Sequence, residues 1–574
     1  MCGGIERQGV RMRFRNWEIR GFDRDTAVDF CRKGISPLVS VLLTSRGIGS
    51  IDDARALMGD SPVEIHDPFL MADMDKAVAR IKTAVEKGER IAIYGDYDVD
   101  GMTSCALLAL WLRSAGAYYE IYIPGRIGEG YGVSRAALDV LKSRGVELVV
   151  TVDCGITAIS EAEYARSIGM GLVITDHHEC RAELPSADAV LDPKRSDCRY
   201  PHKTLAGVGV AFKLVCALEG DPGSREMFRR YGDLVAIGTI ADVMPVVGEN
   251  RELIRRGLQT LNDNPRLGLY KLLSDTFSQR GKVNASTVSF SLSPRLNAAG
   301  RMGRAELSVG ILLTGDEKEA KRLTAELNQL NDERRKIEAE IYEEAKAMLP
   351  ESDMTGLIML AKRGWYQGVT GIVAAKMAEL YRLPAVMISI DEDGMGRGSC
   401  RSFGKFSIYN ALMKCEELLD NYGGHDMAAG VTVAEENIGE LRRRLNQYYS
   451  EYKESIPAVG LRLDFEVEKP ELLTVENIQA LESLEPFGSG NPPPSLCIRG
   501  AELTAAYPIG SGKHSRLKLE KSGKILDCVH FAMPFDKLGV SEGMLVDVAF
   551  EPQINDFRGR NVQLHVLDIR CSNE

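Results

Sequence analysis

The pattern of apolar and polar positions changes character several times along the 574-residue chain. From about Lys76, stretches with helical periodicity alternate with short β-rich runs: RIAIYGDYD, YYEIYIPG, ELVVTVDCG, GLVITDHH and ADAVLDP. Strands that alternate with helical patterns indicate a parallel sheet with crossover helices. We therefore predict an α/β domain over residues 76–314, preceded by an N-terminal helical cap over residues 1–75.

The second half of the chain predicts three further parts. A helical pattern between Asp316 and Met348 contains neither Gly nor Pro and predicts a long connecting helix over residues 315–350. The runs LIMLA and AVMIS flank the helical GVTGIVAAKMAEL and predict a second, smaller α/β domain over residues 351–456. Short alternating strands with Gly-rich turns then predict an OB-like β-barrel over residues 457–574.

Charge and composition narrow the class of protein. The chain has 71 Lys and Arg against 82 Asp and Glu, and the net charge of −11 argues against a protein that coats nucleic acid by bulk charge. Its apolar runs are too short to span a membrane, and its first residues lack the apolar stretch of a signal peptide. We therefore expect a cytoplasmic protein without a membrane partner. Its twelve cysteines include no CxxC, which argues against a zinc cluster or a disulfide framework.

Acidic and histidine residues follow the predicted strands at the points where these end. They are Asp96, Asp98, Asp100, Asp153, Asp176, His177, His178 and, after the apolar run LVAIGTIA, Asp242. Because ligands gather at the carboxyl ends of parallel strands, we expect one shared crevice. In GDYDVDG we expect the carboxylates on one face of an extended strand, about 7 Å apart. Several carboxylates with imidazole favour Mn²⁺ or Mg²⁺, although any single Asp is also explained as a helix cap or a turn residue.

These motifs resemble a known family. GDYDVDG, VDCG, TDHH and the element around Asp242 are similar, in order and spacing, to the four motifs of the DHH phosphoesterase superfamily. The long helix followed by GGHDMAAG resembles the DHH-associated substrate-binding domain. The runs GEGYGVS, LAGVGVAFKL, SPRLNAAGRM and EPFGSGNPPP are similar to the bacterial single-strand-specific 5′ exonucleases of this superfamily. The resemblance covers nearly the whole chain from about Asp67.

The resemblance implies a centre that holds two divalent cations, Mn or Mg. Its metal ligands correspond to Asp96, Asp98, Asp100, Asp153, His177 and Asp242. Asp153 is expected to bridge the ions, and Asp96 is either an additional ligand or a neighbour of one. Asp153, His177 and His178 are the expected catalytic residues, with His178 contacting the scissile phosphate. Two such ions can activate a water for phosphodiester hydrolysis without a covalent nucleophile.

Substrate contacts are expected where basic residues gather. Between Arg251 and Arg304 there are ten basic and three acidic residues, so we expect phosphates to be met there, although a solvated basic surface is the ordinary interpretation. The resemblance implies a 5′-phosphate pocket and a path for the strand. The corresponding residues are Arg295, Arg301, Ser399 and Arg401 for the pocket and Arg126 for the path. GGHDMAAG predicts a turn whose N–H groups and His425 face an anion, or else an ordinary tight turn.

Two features leave alternatives open. Gly364-Trp365-Tyr366 stands where the family commonly has Trp-His after the glycine, and Trp365 is either a stacking surface for a base or a core residue. The barrel segment carries basic residues near Tyr507 and Phe531, which predicts a grip on single strands or else a structural barrel with a basic edge. These residues are Lys513, Arg516, Lys518, Lys521 and Lys524.

The resemblance implies a single-stranded-DNA-specific exonuclease that degrades DNA 5′ to 3′ to 5′-mononucleotides in recombination and repair. We expect a monomer whose partners are single-stranded DNA, a helicase and a single-stranded-DNA-binding protein. One alternative is a phosphodiesterase for oligonucleotides or cyclic dinucleotides, but such proteins generally lack the barrel. Another is a non-catalytic replication scaffold, but such relatives lose metal ligands that are present here.

Overall fold

The computed structural model describes residues 14, 16–60, 63–125, 132–276, 282–350, 356–453, 460–555 and 559–572. The chain divides into two compact units. The α/β unit comprises residues 64–457 and 488–490, and the barrel unit comprises residues 1–63, 458–487 and 491–574. None of the described helices is both long and apolar enough to cross a membrane.

The chain begins with one short strand and three helices of the barrel unit. They are β1 (Trp17–Ile19), α1 (Arg24–Arg32), α2 (Pro37–Ser45) and α3 (Ile51–Met58). Asp23 caps α1 by accepting N–H groups of its first turn, and Ser50 caps α3 in the same way. A left-handed Gly59 ends α3.

The first sheet of the α/β unit has five strands, all parallel, in the order β3-β2-β4-β5-β6. They are β2 (Ile91–Tyr94), β3 (Tyr119–Tyr122), β4 (Leu148–Val152), β5 (Gly171–Thr175) and β6 (Ala189–Leu191). All five predicted β-rich runs form strands, so the predicted parallel sheet is confirmed. Every residue of β2 and β4 is buried, as expected of strands covered on both faces.

In the described residues eleven helices accompany this sheet along the chain, and a π-helical turn (Val288–Leu292) joins two of them. They are α4 (Met74–Lys87), α5 (Val99–Ser114), α6 (Arg135–Ser143), α7 (Ile159–Ser167), α8 (Gly207–Glu219), α9 (Arg225–Ala241), α10 (Gly248–Asp263), α11 (Leu267–Thr276), α12 (Ala285–Thr287), α13 (Ser293–Arg301) and α14 (Ala305–Leu313). The run LVAIGTIA, which we interpreted as a strand, lies in α9 instead. Because this part of α9 is buried all round, it lacks the periodicity that separates a helix from a buried strand.

The predicted connecting helix is confirmed as α15 (Glu317–Ala347), capped by Asp316. It leads into a second α/β fold with a mixed sheet in the order β10-β11-β9-β8-β7, in which only β7 and β8 are parallel. Its elements are β7 (Ile358–Arg363), α16 (Gln367–Tyr381), β8 (Ala385–Ile390), β9 (Met395–Arg401), α17 (Ile408–Met413), β10 (Asn421–His425), β11 (Ala428–Ala434) and α18 (Ile438–Tyr452). Ile341 and Ala345 of α15 belong to its core.

The C-terminal elements form the predicted barrel. They are β12 (Leu461–Leu463), β13 (Phe465–Glu466), α19 (Val475–Ala480), β14 (Leu496–Ile509), β15 (His514–Lys521), β16 (Lys524–His530), β17 (Leu545–Asn555) and β18 (Asn561–Cys571). The sheet order is β13-β14-β15-β16-β18-β17, and pairing of β14 with β17 closes it. Helices α1–α3 share the barrel's apolar core, and β1 pairs with β12, so the segment predicted as a separate cap is built into the barrel unit.

Candidate active site

The acidic loop after β2 turns into a helix. β2 ends at Tyr94, and Asp98 caps α5 by accepting the N–H of Gly101 at 3.0 Å. Asp100 lies in the first turn of α5 and is buried. The expected extended arrangement of Asp96, Asp98 and Asp100 is therefore wrong, because capping by Asp98 starts the helix within the motif.

Glycine 207 brings the start of α8 against this loop. Its N–H donates to Asp100 Oδ2 at 2.6 Å, and the N–H of Val208 donates to Asp100 Oδ1 at 2.9 Å. A Cβ at Gly207 would lie 2.6 Å from Cβ of Asp153. Only glycine therefore fits where α8 meets Asp100 and Asp153. This contact explains the first glycine of GVGVAFKL, Gly207, whose role sequence inspection missed.

The imidazole of His177 faces three carboxylates. Its Nε2 lies 3.1 Å from Asp153 Oδ1, 3.5 Å from Asp242 Oδ2 and 3.8 Å from Asp100 Oδ2. Within the described chain this nitrogen has no hydrogen-bond partner. Asp242 follows the last residue of α9, where the helix dipole disfavours an anion. A cation between these groups would satisfy them all.

The candidate ligand atoms form three overlapping sets, each with its atoms within 4.8 Å of one another. The sets are Asp96, Asp98 and Asp153; Asp100, His177 and Asp242; and Asp153, His177 and His178. Asp153 and His177 recur in two sets each; a carboxylate can bind two ions, whereas a neutral imidazole binds one. Mn²⁺ accepts both carboxylate oxygens and imidazole, whereas Mg²⁺ prefers a site with more oxygen and fewer nitrogen ligands. The residues therefore fit the expected pair of divalent cations.

The electrostatics of the centre also favour cations. Burial and then the charge of Asp98 raise the pKa of Asp100 to about 7, and burial and then Asp100 raise that of Asp242 to about 8. Burial followed by the neighbouring carboxylates also holds the pKa of Asp153 well above its usual value. Burial and then His178 lower the pKa of His177 to about 3. Its imidazole is thus neutral, which is the form that binds a metal.

His178 is held differently. Its Nδ1 lies 2.7 Å from Oδ1 of Asp176, which is buried and also accepts the N–H of Ile156 at 2.9 Å. Although burial alone would lower the pKa of His178, the bond to Asp176 raises it to about 9. The site thus pairs a neutral imidazole with a charged one. We had not assigned a role to Asp176, although its position directly before the histidine pair was the available signal.

Lys194 is a second residue that sequence inspection missed. It follows β6, and its Nζ lies 3.0 Å from Oε1 of Glu179, the residue after His178. Burial dominates the pKa shifts of His177 and Asp242, and the charge of Lys194 also acts on both. A cation therefore stands close to the acidic centre. A single Lys in the loop PKRSD offered no signal for this position.

Three of the predicted substrate residues gather at the first turns of α16. Arg301 donates to the carbonyl of Gly368 at 3.3 Å. A Cβ at Gly371 would lie 3.2 Å from Ser399 Oγ and 3.4 Å from Nη2 of Arg401. The positive end of a 15-residue helix thus lies close to two guanidinium groups and a hydroxyl, which are groups that suit a phosphate.

The other predicted substrate residues have different surroundings. Arg295 links α13 to α15 through Asn328 Oδ1 at 2.9 Å. His425 is exposed at the end of β10, where GGHDMAAG forms an antiparallel hairpin, and it aligns through Ala428 of β11 with Arg401 of β9. Arg126 lies outside the described residues. Trp365 is buried and donates to Glu344 at 2.7 Å, so the core interpretation is right and the stacking one is wrong.

Ion pairs neutralise part of each basic stretch, and the expectation that phosphates are met there stays a prediction. In the first stretch the ion pairs are Arg255 and Arg256 with Glu252, Arg266 with Asp233, Lys271 with Glu317, and Arg304 with Glu306. On the barrel, Arg516 and Lys518 both pair with Asp527. Phe531 and Tyr507 are about half-exposed there, and so remain available for stacking.

Comparison with known proteins agrees with this geometry. The chain matches the DHH family N-terminal domain over residues 90–239, the DHHA1 domain over 353–451 and the RecJ OB domain over 463–568. These three parts define a DHH-family protein with its associated domain and an OB barrel.

Full-length relatives identify the family more closely. The chain is 39% identical to the single-stranded-DNA-specific exonuclease RecJ of Bacillus subtilis, covering 97% of this chain and 71% of that one. It is 34% identical to RecJ of Dickeya dadantii, covering 94% and 97%. The crystal structure of Thermus thermophilus RecJ with Mn²⁺ superimposes with a TM-score of 0.82 at 29% identity, covering 97% of this chain and 79% of that one. The chain belongs to the RecJ family.

Proposed function

We propose that this chain is a metal-dependent exonuclease that degrades single-stranded DNA from its 5′ end to 5′-mononucleotides, in recombination and repair. The observation that carries the proposal is the convergence of buried carboxylates on the neutral imidazole of His177. The names of the RecJ relatives support single-stranded DNA as the substrate.

The residues that would hold the metal ions in this proposal are Asp96, Asp98, Asp100, Asp153, His177 and Asp242, and the carboxylate of Asp153 could serve both ions. Bound divalent cations supply an activated water and neutralise charge on the phosphate. The N–H groups of Gly207 and Val208 orient the carboxylate of Asp100. Burial keeps His177 neutral, so that a nitrogen lone pair is available.

In this proposal His178 binds the scissile phosphate. Its imidazolium, fixed by Asp176, donates to an oxygen of the scissile group and stabilises the charge that develops there. Asp176 is a positioning residue, because it acts through His178. Arg301, Ser399 and Arg401 hold the 5′ phosphate at the start of α16, which restricts the reaction to a strand end. Roles for Arg126, Arg295 and His425 stay predictions.

The proposed partners follow from the substrate. A helicase would supply unpaired strands, and a single-stranded-DNA-binding protein would share them. We propose that the protein acts as a monomer in the cytoplasm.

The test uses single-stranded oligonucleotides labelled at either end, incubated with Mn²⁺ or Mg²⁺. We expect immediate release of labelled mononucleotide from the 5′ label and late release from the 3′ label. Release first from the 3′ end would overturn the polarity. Tight binding without cleavage would favour a scaffold.

A pair of variants tests the centre. Asp153→Ala should abolish turnover while leaving binding largely intact, because it removes a ligand shared by two sets. Asp75→Ala, at an exposed acid in the first turn of α4, is the matched control and should leave turnover unchanged. Retained activity in Asp153→Ala would refute the bridging role.

A further inference from the structure

A cavity of about 440 Å³ opens beside the acidic loop. One wall is Tyr97, which stands in the chain between Asp96 and Asp98. The other walls are the end of β3 and the segment from the last turn of α13 through α14. All of these elements belong to the α/β unit, and because Tyr97 lines the cavity, the cavity adjoins the candidate active site.

The walls of this cavity are mainly apolar. The end of β3 contributes Ile121 and Ile123, and α14 contributes Val309 and Leu313. Among the described lining residues, Glu306 is the one charged side chain. Arg304 already pairs with this carboxylate at 2.6 Å, and the described lining offers no Lys or Arg to bind a phosphate, so the cavity suits an uncharged, flat group.

The position of α13 links the cavity to both neighbouring sites. Gly300 lines the cavity, and a Cβ there would lie 1.9 Å from the carbonyl oxygen of Tyr97, so the helix rests directly on the acidic loop. The next residue, Arg301, donates to Gly368 at the phosphate pocket. Two consecutive residues of one helical turn thus face a place for an apolar ring and a place for phosphate.

We infer that this cavity receives the base of a nucleotide close to the 5′ end of the strand, an assignment that rests on the proposed function. Its volume lies within the range of about 300–1,000 Å³ that is usual for small-ligand pockets. Apolar contact with a ring face does not depend on which base is present. A nuclease that removes every nucleotide in turn must accept any of the bases. The cavity would accept each of them while Arg301 binds the phosphate.

The test measures binding with hydrolysis-resistant phosphorothioate oligonucleotides in Mn²⁺, by fluorescence anisotropy. Each oligonucleotide carries a 5′ phosphate and one abasic residue, placed at positions one to six in turn. For the wild-type protein we expect affinity to fall about tenfold at one position, or at two neighbours, where the missing base would have been buried. Equal affinity across the series would overturn the assignment.

Two variants sharpen this test. Ile123→Trp narrows the cavity from a half-buried position, so it should weaken binding of the intact strand and remove the penalty at the abasic position. Tyr118→Ala, at an exposed residue just before β3, is the matched control and should leave the series unchanged. A penalty that persists in Ile123→Trp would overturn the assignment.

The binding affinities of the abasic strands are measured without catalytic turnover, so they test the cavity independently of the exonuclease activity. If mononucleotides are not released from natural strands but one abasic position still weakens binding, the proposed function fails and the cavity assignment stands. If release occurs and the series is flat, the exonuclease stands and the cavity assignment fails. The wild-type series decides even if Ile123→Trp does not fold.

Discussion

Replacing Gly207 by Ala should inactivate the centre with little loss of fold. The new Cβ would lie 2.6 Å from Cβ of Asp153, about 0.9 Å inside the ~3.5 Å optimum for two carbon atoms. Either Asp153 or the start of α8 must move by a comparable distance. The second movement would stretch the 2.6 Å hydrogen bond from Gly207 to Asp100. Both carboxylates are proposed ligands, so each response disturbs the centre.

A displacement of about 1 Å in a catalytic group costs on the order of 100-fold in rate, and we expect at least that loss in kcat. Overpacking should cost about 1–3 kcal/mol of stability, which a domain of this size tolerates. The assay is mononucleotide release at saturating strand and metal, with urea denaturation to measure stability.

Gly209→Ala is the matched control. It lies in the same helix, and its new Cβ would meet Leu205 at 3.3 Å, a contact that a flexible side chain relieves. We expect this variant to keep most of its activity. Near-normal turnover in Gly207→Ala, or an equal loss in Gly209→Ala, would refute the close-packing argument.

Three further predictions address stability and the rim of the site. Lys213→Met leaves the buried carboxylate of Glu249 without its partner at 2.6 Å and should cost about 3–5 kcal/mol in urea denaturation; a loss below about 1 kcal/mol would contradict the buried ion pair. Lys194→Ala should lower kcat/KM about tenfold with an unchanged melting temperature, and unchanged kinetics would exclude a role at the centre. Burial alone would raise the pKa of Asp527, but hydrogen bonds from neighbouring cations lower it to about 2. The contribution of Asp527 to stability is therefore present above about pH 4, and it is lost as the pH falls through about 2. Asp527→Asn should therefore destabilise the barrel by about 1 kcal/mol at pH 7, a value discounted for solvent screening, and by less at pH 2.5; an equal effect at both would contradict the sign.

The parallel sheet and part of its chemistry could be predicted because local patterns determine them. The carboxyl ends of β4 and β5 carry Asp153 and His177, and the rule that ligands gather there holds. The rule fails for Asp242, because the buried end of α9 has the composition of a buried strand. It also fails for the geometry of Asp98, whose capping of α5 turns the motif away from the strand direction.

The rest depended on contacts between distant parts of the chain. The amide of Gly207 that binds Asp100 lies 107 residues further on, and no periodicity reports such a pairing. A count of charges within one window is incomplete for the same reason. Asp233 and Glu317, which neutralise Arg266 and Lys271, lie outside the window that was counted.

The pairing of β1 with β12 has a consequence for how the chain folds during synthesis. The indole of Trp17 donates to Asp568, 551 residues later, at 2.9 Å. At about 5–20 residues per second, a ribosome needs roughly half a minute to two minutes to supply that partner. The α/β unit lies between them in sequence and can fold first. Helices α1–α3 share their apolar core with the barrel strands, so their apolar faces stay uncovered and open to aggregation until those strands have been synthesised.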